Sequence, residues 1–159
     1  MAETLGSLID KFTIKEIRQY HLKEMLRAKD KKFQADVIKA KISLLDGQIR
    51  AMAGEIDGFV RAAAKGKTRP RDEKLQIYHT IEDMNKIPQF ADIGPAISSL
   101  AQKNLELWHL EDEARCKDAG LDRIGRIKRK IDLANQQRND LIDKIDELFE
   151  KKISFIPGH

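Results

Sequence analysis

Only one cysteine, Cys116, occurs in 159 residues, which leaves no internal disulfide and no multi-cysteine zinc site to hold the chain together. Aromatic residues make up 6% of the chain, with four prolines and nine glycines. That shortage argues against a sandwich or barrel, whose strands and turns consume all three. No apolar run approaches the ~20 residues of a membrane-spanning helix. No basic segment followed by an apolar stretch opens the chain as an export signal would, so a cytoplasmic protein is expected.

One-sided charge is missing too. The 30 Lys and Arg residues are interspersed with 26 Asp and Glu for a net charge of +4. The denser basic runs, at 27–32, 65–71 and 123–130, are expected to be solvated helix faces and loop ends, and no nucleic-acid partner is expected. "AAAKGKTRPR" lacks the spacing of a phosphate-binding loop. Cys116 stands near a helix end, where the dipole disfavours a thiolate, so it is no candidate nucleophile.

What the chain has is charge, 35% of its residues, laid over helical periodicity. Ile38, Ile42, Leu45, Ile49, Met52, Ile56, Phe59 and Ala63 alternate steps of four and three, and Ile124, Ile127, Ile131, Ala134, Arg138, Leu141, Ile145 and Leu148 do the same. Each is a coiled-coil-like seam on a helix of roughly 28 to 30 residues. A shorter amphipathic helix precedes each: Leu5, Leu8, Ile9, Phe12, Tyr20 and Met25 mark the first, and Ile93, Ile97, Leu100, Leu107 and Trp108 the second. Brief turns join each pair, near Lys29 to Lys32 and across "CKDAGLD", where Gly120 is expected to stop one helix and Asp122 to cap the next.

The two hairpins align at a shift of 88 to 89 residues. "QYHLKEMLRAKD" falls on "LWHLEDEARCKD", and Gly6, His21, Leu22, Arg27 and Asp30 fall on Gly94, His109, Leu110, Arg115 and Asp118. These identities are not forced by a shared heptad and point to an internal duplication. The expected fold is all-α, a four-helix bundle in one domain over 1–159: a first hairpin at 1–64, a long crossover connection at 65–92, a second hairpin at 93–151 and a tail at 152–159. The tail's Ile153, Phe155 and Ile156 are expected to fold back on the bundle or meet another chain. Gly47, Gly54 and Gly58 in the first long helix are expected to admit a close helix neighbour, with a kink near "LLDGQ" as the alternative.

Polar residues inside the seams are the candidate functional feature. The heptad through 93, 97, 100, 104, 107, 111 and 114 puts Asn104 and Glu111 in an otherwise apolar row, and Arg138 interrupts its partner. Buried polar groups cost stability unless bonded, and their best attested use is to fix register. The cluster Asn104, Trp108, Glu111, Arg115, Asn135 and Arg138 is therefore first an interhelix clasp and second a ligand-binding site. Glu106 and His109 make one Glu-x-x-His step of the kind that di-metal bundles use in pairs. The aligned position in the first hairpin is Arg18, so no paired set forms, and neither a metal nor another cofactor is expected. A magnesium-binding carboxylate group around Glu106, Glu111 and Asp112, as in an all-α phosphohydrolase, is the catalytic alternative, though no catalytic residue is legible and an enzyme is the less favoured reading.

The segment from "IGPAISSLAQKNLELWHLEDEARCKD" through "IKRKIDLANQQRNDLIDKIDELF" resembles the bacterial family designated domain of unknown function 4254. The pattern is an Asn ahead of Leu-Trp-His, then Glu-Asp-x-x-Arg, Lys-Arg-x-Ile-Asp and Asn-Gln-x-Arg-Asn-Asp. It falls here on Asn104, Leu107, Trp108, His109, Glu111, Asp112, Arg115, Lys128, Ile131, Asp132, Asn135, Gln136, Arg138, Asn139 and Asp140. The resemblance implies an α-helical bacterial protein, often encoded beside cell-envelope glycosyltransferases, with no assigned activity or catalytic residue. The leading expectation is an adaptor that binds a protein partner, such as a glycosyltransferase of surface-polysaccharide assembly, or a second copy of itself. A small-molecule binder or metal-dependent hydrolase using Asn104, Glu111 and Arg138 is the alternative.

Overall fold

In the computed structural model, the described residues are 3–28, 34–67, 87–116, 118 and 120–154. They form four helices: α1 (Leu5–Arg27), α2 (Ala35–Ala64), α3 (Ile93–Ala114) and α4 (Leu121–Ser154). There is no strand among the described residues, and none of their helices is long and apolar enough to cross a membrane.

Local chemistry sets the helix ends. Thr4 opens α1 with a capping box: its hydroxyl accepts from the Ser7 amide, and the Ser7 hydroxyl accepts from the Thr4 amide, which satisfies amides that lack a partner inside the helix. Helix α2 stops where Gly66 takes a positive φ of 69°. The Gly66 amide then reaches the Ala63 carbonyl, and that of Lys67 the Ala62 carbonyl, the paired closure that a left-handed residue after a helix permits. Pro95 lies in the first turn of α3, where a missing N–H costs nothing. Helix α4 begins at Leu121, so Asp122 stands inside its first turn and does not cap it. Ile124 donates to the Gly120 carbonyl, which makes Gly120 the entry to α4 and not the stop of α3, already closed at its C-cap Arg115.

The helices run up, down, up, down. Lys15 bonds Gln48 and Gln19 bonds Asp46, as antiparallel α1 and α2 require; Lys152 near the end of α4 pairs with Asp92 at the start of α3 over 3.7 Å. Both long seams face inward: Ile38, Leu45 and Ala63 are buried in α2, and Ile127, Ala134, Leu141, Ile145 and Leu148 in α4. Helix α1 is the hub, packing on α2, α3 and α4, while α2 packs along its length on α1 alone. Only the C-terminal end of α2 reaches the central core, where Ala63 joins Leu5, Ile9, Leu100, Leu141 and Ile145, and Phe59 meets Phe149 at 6.2 Å between ring centroids.

The contact of α1 with α4 is unusually close. A Cβ at Gly6 would lie 2.5 Å from the Ile142 carbonyl oxygen, so only glycine fits there without separating the helices. The Gly6 amide donates to the Asp146 carboxylate at 2.7 Å. That side chain, 1% exposed, caps the N-terminus of α1 from across the interface and complements its dipole.

Several expectations need correction. Among the described residues, Gly47, Gly54 and Gly58 have nothing within 4 Å of a built Cβ; no described helix approaches them, because α2 turns its seam to α1 and these glycines to the opposite side. Gly94, aligned with Gly6, is equally open. Tyr20 is exposed, with its hydroxyl held above the ordinary phenol range by a hydrogen bond to the Glu24 carboxylate. Ile153 is buried in the core as expected. Phe155, Ile156, the turn at Lys29 to Lys32 and most of the crossover lie outside the described residues.

Candidate functional site

Asn104 decides between clasp and pocket, and it takes part in both. It is 5% exposed, and its amide nitrogen donates to the Asp10 carboxylate and to the Thr13 hydroxyl, each at 2.9 Å. Hairpin arithmetic, with the turn centred near Asp118, would set Asn104 opposite Ala134 to Asn135 of α4. The bonds go to α1 instead, because α1 rather than α4 presents polar groups to that side of α3. Asp10, itself buried, is thereby given a donor that a carboxylate in an apolar setting requires.

One turn on, the aromatic layer joins the same helices. The His21 ring of α1 stacks on Trp108 of α3 at 4.7 Å with the planes 6° apart, and His109 meets His21 edge-on at 5.9 Å. The His21 Nδ1 lies 3.3 Å from Glu24. The two histidines aligned by the sequence shift thus meet in space.

Beneath this layer a cleft of about 360 Å³ opens between α1, α3 and α4, toward the small end of the ~300–1,000 Å³ usual for ligand sites. Ile14, Ile17, Leu107 and Trp108 supply its apolar wall. Arg18, Arg115 and Arg138 bring three guanidinium groups against one carboxylate, Glu111. Of the six residues singled out in the sequence, Asn104, Trp108, Glu111, Arg115 and Arg138 line it; Asn135, half-buried on α4, does not. Glu111 is not buried in a seam as its heptad position implied. Its side chain is 53% exposed and pairs with Arg115 one turn on, at 3.6 Å, since α3 has by then passed beyond the core.

Arg138 carries the unusual electrostatics. Its Nε is shut off from solvent and has no hydrogen-bond partner among the described residues. A buried donor left unbonded costs ~1–3 kcal/mol, and a guanidinium is a fixed fork of donors that matches the paired oxygens of carboxylate or phosphate. The cleft therefore combines an apolar wall, an excess of cationic donors and one nitrogen that still lacks an acceptor.

Metal chemistry gains nothing from the geometry. Among the described residues no group of three or more His, Cys, Asp or Glu could hold an ion. Glu106 accepts from Lys103 at 2.6 Å and lines a different cleft, about 220 Å³, with Gln137 and Leu141, so it is not brought together with Glu111. Cys116 is exposed beyond the end of α3.

Residues 95–158 match the family described as Protein of unknown function (DUF4254). The matched DUF4254 segment runs from the first turn of α3 through α4, so it contains every lining residue of the arginine cleft except Ile14, Ile17 and Arg18 of α1. No curated protein and no solved structure matches the chain. The α1 contribution was not read from the sequence. Asp10, Ile14, Ile17 and His21 follow steps of four, three and four, a second stripe almost opposite the apolar row that begins α1, and tracing it would have brought Arg18 to the edge of the cleft.

Proposed function

We propose that this protein is a binding module, not a catalyst, and that the cleft between α1, α3 and α4 receives a group bearing a carboxylate or phosphate. The observation that carries this reading is the buried, unbonded Arg138 Nε at a cleft with three arginines and one carboxylate. An anion seated there would balance the charge and, by drawing the Arg138 guanidinium toward the cleft, supply the missing acceptor, while Trp108 and the isoleucines would cover an adjoining apolar or ring portion. The anion has two sources. It is carried by a free small molecule, or by an acidic segment of a protein partner, which is the adaptor role with a glycosyltransferase of surface-polysaccharide assembly as one such partner.

Thermal unfolding in the presence of inorganic phosphate, pyrophosphate, citrate, nucleoside diphosphates and sugar nucleotides tests the first source, and an acidic peptide series tests the second. A ligand at 100 times its Kd adds ~2.7 kcal/mol of stability, and Arg138→Met should abolish that gain while the protein stays folded. No response to any anion, or an equal response in Arg138→Met, would overturn the reading.

A further inference from the structure

Helix α2 carries a second heptad row on the side that faces away from α1. Val37, Ala40, Leu44, Gly47, Ala51, Gly54 and Gly58 alternate steps of three and four, as a helix needs to present one stripe to another helix. Val37 is 46% and Leu44 62% exposed, and among the described residues nothing lies within 4 Å of a Cβ built at any of the three glycines. The bulky members sit in the N-terminal half of the row and the glycines toward the C-terminal half.

The charges flanking this row have a mirror order. Helix α2 contains eight charged residues, all exposed: Asp36, Lys39, Lys41, Asp46, Arg50, Glu55, Asp57 and Arg61. Reflected about residue 48, Asp36 falls on Arg61 within a residue, Lys39 on Asp57, Lys41 on Glu55 and Asp46 on Arg50. Every charge meets its opposite. The same reflection, within a residue or two, sets Val37 against Gly58, Ala40 against Gly54 and Leu44 against Ala51, so large side chains oppose gaps. At 3.6 residues per turn, Lys41 and Glu55 lie on one flank of the row, and Lys39, Arg50 and Asp57 on the other, with Asp46 at that flank's outer edge, where it also accepts from Gln19 of α1. In an antiparallel pair each flank meets the same flank of its partner.

We propose that α2 is a self-association surface, and that two copies of this chain pair through it antiparallel, about a two-fold axis near Gly47 and Gln48. The second copy is the occupant because a helix whose charge order inverts about its own centre is complementary to itself, as an isologous two-fold contact demands. Glycine and alanine in the row let the helix axes come to the near end of the 8–10 Å packing range. The proposal owes nothing to the arginine cleft, which lies on the far side of α1, and the two stand or fall separately.

Sedimentation of the full chain from micromolar to millimolar concentration tests it, alongside thermal unfolding. The expected result is a reversible dimer that Leu44→Glu converts to monomer with an unchanged melting temperature at dilute concentration. Lys41→Glu should raise the dimer Kd by about tenfold or more, and Lys41→Glu with Glu55→Lys in the same chain should bring it back, because the swap restores both ion pairs in this register only. A monomer at every concentration would overturn the proposal, as would a dimer indifferent to Leu44→Glu or a double variant no better than the single. A monomer that Leu44→Glu destabilises would show the row covered within one chain and would overturn it equally.

Discussion

Helices α2 and α4 have seams of the same period, yet one is built into the protein and the other leans on it. Helix α4 is packed by α3 along one stripe and by α1 along a neighbouring one, and it supplies half of the central core. Helix α2 has α1 alone along most of its length. The seam residues do not distinguish them. The residues beside the seam do: α4 continues into Ile142, Asp146, Phe149 and Ile153, which reach the core or α1, whereas α2 offers small residues, charges and an exposed Val37 and Leu44 that meet no other described helix. A helix's neighbours are thus counted by its apolar stripes, and the heptad that announces the first stripe is silent about the second.

The contrast can be broken most forcefully in the core. Leu141→Ala, at a position 2% exposed, should cost ~2–5 kcal/mol in chemical denaturation, and Leu44→Ala on α2 should leave monomer stability within about 0.5 kcal/mol. Asp146→Ala strands the Gly6 amide in the α1–α4 contact and should cost ~1.5–3 kcal/mol, against little for Asp57→Ala, its aligned counterpart on the open side of α2. Gly6→Ala should cost ~1–3 kcal/mol by forcing α1 from the Ile142 carbonyl. Gly54→Ala, in open space, should stabilise the dilute protein by ~0.5–1 kcal/mol. Equal effects at the two glycines would dissolve the distinction.

Smaller effects sharpen it. Arg138→Met removes a buried donor without a partner and should hold or raise the stability of the unliganded protein by up to ~1 kcal/mol. Glu147, at the solvent edge of α4, has its carboxyl held below the ordinary range, chiefly by the Lys151 hydrogen bond and then by Lys144. Its folded pKa is lower than its unfolded one, so the stabilisation is present above the ordinary glutamate range and fades as pH falls through the depressed value. In so exposed a pair this is worth a few tenths of a kcal/mol, and Glu147→Gln should flatten the acid limb of a stability-pH curve by that amount.

The helices and both long seams were legible because periodicity reports one buried stripe directly. The polar seam was legible as an anomaly: Asn104 and Arg138 break an apolar row, and both proved to line the cleft. Their partners were not legible. Asn104 was matched to α4 by hairpin arithmetic, but its bonds cross to α1, and no rule of local spacing relates residues 94 apart. Buried Asp146 was missed for the same reason, since its partner is the Gly6 amide 140 residues away. Glu111 was misplaced because a heptad carries no mark of where the helix leaves the core. The glycines of α2 were read as admitting a close helix neighbour, but among the described residues the only glycine pressed against another helix is Gly6.

The hub position of α1 bears on the order in which the molecule assembles. Each hairpin closes over a short separation, whereas seating α1 on α3 and α4 unites residues 91 to 140 apart and must wait for the larger loss of chain freedom. Until that docking happens the arginine cleft does not exist, for Arg18 belongs to one hairpin and Asn104 and Arg138 to the other. Any ligand of the cleft would therefore act as a latch on the last stage of folding, and loosening α1 would erase the binding site before it unravelled either hairpin.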